Sequence, residues 1–64
     1  MEYQAETEEE VLASFVYRMA FEFGKEGNTV ESLATFCREQ NAEHLLDNAV
    51  GFWQDGVDLY PENQ

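Results

Sequence analysis

Cys37 and His44 have the chemistry of a nucleophile and a base, and each is the only residue of its type in the chain. If one helix ran through both, their seven-residue step would set them two turns apart, about 10 Å. That is beyond the reach a base needs to take a thiol proton. Cys37 also shares a face with Val30, Leu33 and Ala34, and a cysteine so placed packs as a small hydrophobe. His44 falls on the exposed side of its segment beside Glu43 and Asp47, where it offers at most a pH-sensitive contact. One cysteine and one histidine provide neither an intrachain disulfide nor the four ligands of a structural zinc site.

Carboxylates are the other candidates, in the sets Glu8–Glu9–Glu10, Glu39–Glu43 and Asp55–Asp58. General acid–base work needs a carboxyl in a desolvated cleft, and a chain of 64 residues has little room for one. Asp55 and Asp58 do not match the ligand spacing of an EF-hand loop, so only weak, nonspecific binding of divalent cations to the acids is expected. No phosphate loop, dinucleotide fingerprint or catalytic triad occurs. The reading is a protein that binds other macromolecules, with no catalytic residues, no metal and no cofactor.

Charge says what it would bind. Fourteen acidic residues face three basic ones, a formal net charge of -11. Such a surface is repelled by nucleic acid and by anionic membranes and attracted to basic proteins. Disorder competes as an explanation of high charge, but 44% hydrophobic and 14% aromatic residues suffice for a core. No apolar run reaches the roughly 18 residues of a membrane span, and the acidic start of the chain is unlike a signal peptide. With its sparse cysteine usage, the chain reads as cytoplasmic.

The elements that position these groups follow from apolar spacing, and they make an all-α, compact three-helix domain spanning 1–64 with residues 1–6 disordered. The first helix runs over about 8–23. Thr7 and Glu10 have the form of a capping box, and Glu8 and Glu9 suit the positive end of the helix dipole. Val11, Leu12, Phe15, Val16, Met19, Ala20 and Phe23 recur at helical spacing, and Gly24 reads as the stop. The second helix covers about 29–40, with Asn28 and Glu31 in a cap relation. The third covers about 42–57, with Asn41 as its cap, Leu45, Leu46, Ala49, Val50, Phe52, Trp53 and Val57 on one side, and Gly56 and Pro61 marking a frayed end, after which Leu59 and Tyr60 fold back. No two-residue alternation signals a strand. The expected core is Leu12, Phe15, Val16, Met19, Leu33, Cys37, Leu45, Leu46, Val50 and Trp53.

Two surfaces remain. Tyr17 and Phe21 lie well off the first helix's stripe, are i, i+4 neighbours expected to stack on one another, and suggest an apolar interface for a partner or for a homodimer. A domain this small often needs such a staple. On the third helix Glu43, Asp47, Asp55 and Asp58 share a polar face with Gln54, and Glu39 extends the row backwards by four residues. No Lys or Arg follows Arg38, so Glu39, Glu43, Asp47 and Asp55 are the expected electrostatic site for a basic partner. Imitation of nucleic acid by these acids is the rival, as in an inhibitor of a DNA-processing protein from a phage or mobile element. Four residues of helix rise about 6 Å against 3.4 Å per charge along a DNA strand, so the row has about half the required density. The stretch from Thr29 to Trp53 also has the outline of a helix-turn-helix pair. Its second helix would bring Glu43 and Asp47 towards phosphates without a compensating cation, which argues against direct DNA binding. A purely structural subunit of a larger complex is the last alternative.

Overall fold

The computed structural model describes residues 7–63, with the side chain of Asn63 set aside. The expectation for residues 1–6 falls outside the described residues. The described residues form three helices, α1 (Glu8–Lys25), α2 (Val30–Glu39) and α3 (Leu46–Leu59), with short 3-10 turns at Glu43–Leu45 and Pro61–Asn63. Among the described residues there is no strand.

α1 begins where the capping box places it. Glu10 N–H donates to Thr7 Oγ1 at 3.1 Å and Thr7 N–H donates to Glu10 Oε1 at 3.3 Å. Its end differs from expectation. Gly24 does not stop the helix, which continues to Lys25. The stop is Gly27, at φ 83°, a conformation glycine adopts without steric cost. Asn28 N–H then reaches back to Phe23 C=O at 2.9 Å and Gly27 N–H to Gly24 C=O at 3.2 Å, the paired bonds of a Schellman terminus.

α2 repeats the device. Asn41, expected to cap α3, instead terminates α2 in the left-handed region at φ 56°. Ala42 N–H bonds Cys37 C=O at 2.8 Å and Asn41 N–H bonds Arg38 C=O at 3.1 Å. Ala42 and Cys37, brought together by that bond, are both buried. At its other end α2 is capped by Thr29 rather than by Asn28: Ser32 N–H donates to Thr29 Oγ1 at 3.1 Å. Glu43–Leu45 forms a 3-10 turn, and the α-helical part of α3 runs from Leu46 past Val57 to Leu59.

α1 and α3 run in the same direction and form the main pair, since Glu9 meets His44, Tyr17 meets Phe52, and Phe21 meets Tyr60. α2 returns against this pair, with the Phe36 ring 5.6 Å from that of Phe15 and 5.5 Å from that of Phe23 on α1. The buried core is Val16, Ala20, Leu33, Cys37, Ala42, Leu45 and Ala49. Most of these are small, which lets the backbones of α1 and α3 come close, because interaxial distance follows the side chains at the contact. Gly24 and Gly56 mark the closest point. Both are buried, so Gly56 is part of the packing and not a frayed end. Trp53 joins this region to the α1–α2 loop by donating its indole N–H to Asn28 C=O at 2.9 Å.

The expected core thus holds at Val16, Leu33, Cys37 and Leu45, while Leu12, Met19, Leu46, Val50 and Trp53 are half-buried. Phe15 does not belong to it. The ring leans on Phe36 and stays 44% exposed. Cys37 has no exposed surface, and desolvation pushes its thiol pKa up. Because the thiolate is the reactive form, Cys37 is expected to resist a thiol-specific reagent in the native protein and to react once denaturant is added. Rapid labelling under native conditions would refute its place in the core.

Candidate functional site

Cys37 and His44 are not brought together. Cys37 is buried, and His44 is exposed with its Nε2 2.8 Å from Glu9 Oε2. The expected neighbours of the imidazole, Glu43 and Asp47, give way to a carboxylate one helix away. The pair clips the start of α1 to the turn before α3. Both side chains are more than half exposed, so salt screens the interaction and it contributes at most about 1 kcal/mol. Among the described residues no three His, Cys, Asp or Glu side chains gather as a metal site would require.

Glu39, Glu43, Asp47 and Asp55 are all exposed. Among the described residues none of the four accepts a side-chain hydrogen bond or pairs with a cation. They do not form one row, however. The left-handed turn at Asn41 separates Glu39, the last residue of α2, from the acids that follow. Glu43 sits in the 3-10 turn, Asp47 in the first turn of α3, and Asp55 two turns further on. Asp58 shares the α3 face and accepts a hydrogen bond from Gln54 Nε2 at 2.9 Å.

Tyr17 and Phe21 are half-buried, each against an aromatic partner from beyond α1. Tyr17 stacks on Phe52 with ring centroids 4.8 Å apart and planes 19° from parallel. Its hydroxyl accepts a hydrogen bond from Asn48 Nδ2 at 3.3 Å. Phe21 meets Tyr60 edge-on at 6.1 Å, and Lys25 Nζ lies 5.0 Å from the centre of the Tyr60 ring. The two rings expected to stack on one another thus form part of the seam between α1 and the α3 end of the chain.

That seam brings the two expected surfaces together. At about 100° per residue, Asn48, Phe52, Asp55 and Leu59 fall within about 60° on α3. Phe52 is 41% and Leu59 67% exposed. Tyr17 therefore continues through Phe52 into a ridge that carries Asp55, with Asp47 and Asp58 beside it. From the sequence Phe52 is expected on the inner side of the third helix and Leu59 in a tail, but both are exposed on the flank of α3. The clue to their position is the small pair Ala49 and Gly56, seven residues apart, which marks the true inner face and turns Phe52 and Leu59 to the flank.

Gly51 lies among Asp47, Asp55 and Asp58 on this face, and a methyl group added there would meet no atom within 4 Å. Two hollows lie elsewhere on the surface. One, of about 440 Å³, is lined by Phe23, Asn28, Ser32, Thr35, Phe36 and Glu39, and the other, of about 350 Å³, by Glu8, Val11, Leu12 and Phe15. No helix is long and apolar enough to cross a membrane among the described residues. Compared with known proteins, the chain matches no family model, no curated protein and no solved structure.

Proposed function

We propose that this chain is a small acidic interaction module, regulatory or adaptor in role, that docks a basic, nucleic-acid-binding protein through the outer face of α3 and its Phe52–Leu59 flank. One observation carries the reading: unneutralised carboxylates stand directly beside exposed aromatic and aliphatic side chains on one helix. The carboxylates supply attraction and register, which speed encounter and select a cationic partner. The apolar ridge supplies the contact from which most affinity comes. Occupying the basic surface of a nucleic-acid-binding protein would occlude it or bridge it to a second molecule.

Imitation of a nucleic acid gains less from the same geometry. The turn at Asn41 removes Glu39 from the row, and Asp47 and Asp55 are eight residues apart, about 12 Å along the helix. A strand places a charge every 3.4 Å or so. A phosphate mimic also has no use for an exposed Leu59.

The test is capture. The immobilised chain is exposed to lysate of its source cell and eluted with a rising salt gradient, beside an Asp47→Asn, Asp55→Asn, Asp58→Asn control column. A basic protein that elutes sharply with salt from the first column and is missing from the second is the expected result. A partner retained equally by both columns would overturn the acidic face as the docking element. Displacement of the captured protein by duplex DNA, with no dependence on Phe52 or Leu59, would transfer the weight to mimicry.

A further inference from the structure

On the flank of α1 turned away from α3, Glu8, Val11, Phe15 and Arg18 follow one another at steps of three, four and three residues, the spacing of a helix–helix seam. At about 100° per residue they lie within about 80° of arc, roughly half a turn around the axis from Ala20 and Gly24, which face α3. Val11 is 53% exposed and Phe15 44%, and Glu8 and Arg18 are exposed as well. Beside them is the hollow of about 350 Å³ lined by Glu8, Val11, Leu12 and Phe15. That is at the lower end of the roughly 300–1,000 Å³ that holds whole small ligands, which leaves room for an aromatic side chain.

Charge identifies what covers this flank. The outer face of α3 carries acids only, so two copies of the chain repel each other there. The α1 flank carries both signs, and its Arg18 is one of just three Lys or Arg residues in the chain. A two-fold interface uses the same patch from both copies and must be self-complementary. Antiparallel pairing of two α1 helices, about a two-fold axis that crosses this flank level with residue 13, sets Val11 opposite Phe15 of the second copy and Glu8 opposite Arg18 of the second copy. Symmetry repeats each pair. Parallel pairing would set Glu8 against Glu8 and Arg18 against Arg18, and like charges in register are unfavourable.

We propose that the chain forms a two-fold dimer through this flank, with the Phe15 ring of each copy seated against Val11 and Leu12 of the other. The Tyr17–Phe21 region, which the sequence offers for a dimer, is half-buried against Phe52 and Tyr60, whereas Phe15, although it leans on Phe36, stays 44% exposed. A dimer built on Val11 and Phe15 leaves both α3 faces outward on opposite sides. It stands independently of the docking reading, but it gives that reading a bivalent form suited to bridging.

The test is sedimentation equilibrium of the full chain from micromolar to millimolar concentration. The wild-type mass should rise with concentration from 7.4 kDa towards twice that value. Arg18→Glu makes both charge pairs repulsive and should weaken the dimer about tenfold or more. Adding Glu8→Arg to it restores opposite charges across the interface and should recover the association. Val11→Ser, which changes no charge, should weaken the dimer, and Asp55→Asn on α3 should not. Circular dichroism checks that each variant is folded; should Glu8→Arg unfold α1, Val11→Ser together with Arg18→Glu decides. A single 7.4 kDa species at every concentration overturns the proposal, as does a dimer indifferent to both Arg18→Glu and Val11→Ser.

Discussion

Replacing Gly56 by alanine is expected to destabilise the fold by about 2–4 kcal/mol, and replacing Gly24 should have an effect of the same size. A methyl group at Gly56 would overlap the backbone carbonyl oxygen of Phe21 and lie 2.7 Å from the backbone nitrogen of Lys25. At Gly24 it would overlap the Trp53 carbonyl oxygen and lie 3.0 Å from the backbone nitrogen of Val57. In both cases the obstacle is helix backbone, which cannot rotate away as a side chain can. Relief requires moving α1 and α3 apart, and that loosens the contact around Ala20 and Ala49. A chain of this length has about 3–10 kcal/mol of stability in all, so either variant loses a large share of it. Gly51 provides the opposite control. It is exposed in mid-helix with open space around it, and Gly51→Ala should stabilise α3 by about 0.5–1 kcal/mol. Urea titration monitored by helicity separates the three. A Gly56→Ala midpoint equal to wild type would mean that the helices do not cross where described.

These glycines also show where sequence reasoning reached its limit. The number of helices, the Thr7–Glu10 capping box and the burial of Val16, Leu33, Cys37 and Leu45 were all legible, because each depends on local spacing. Gly24 and Gly27 are equally good local stops, and only the approach of α3 decides between them. Gly24 is needed without a side chain at the crossing, so the left-handed turn falls to Gly27. Asn41 posed the same ambiguity, since asparagine suits both a helix start and a left-handed terminus. The structure uses it for the second, and this takes Glu39 out of the acidic row. That Tyr17 and Phe21 lie off the α1 stripe and need a partner beyond their own helix was legible as well. Their partners were not, because Phe52 and Tyr60 are 35 and 39 residues further along the chain, and nothing local records that α3 lies beside them.

The docking ridge yields the second large effect, one that separates its charged and apolar parts by kinetics. Neutralising Asp47, Asp55 and Asp58 with asparagine should slow association with the captured basic partner about tenfold and flatten its salt dependence, because attraction between separated charges acts on encounter. Truncating Phe52 to alanine should act on dissociation. A ring at the centre of an interface contributes about 2 kcal/mol or more as a hot spot, which is about 30-fold in affinity. Phe52→Ala also removes the stack on Tyr17, at a cost of about 0.5–1.5 kcal/mol to the fold, so a melting curve must accompany the binding curve. Leu59→Ala avoids that difficulty. Leu59 is 67% exposed, and its loss should leave the melting curve in place while still speeding dissociation. Because Asp55 sits between Phe52 and Leu59 on the same helix flank, the acidic and apolar changes should couple and not simply add. Independent effects would mean that charge and ridge serve different partners. A partner that responds to the acids and ignores both Phe52 and Leu59 reads only charge, and the chain would then act as an electrostatic decoy and not as a docking module.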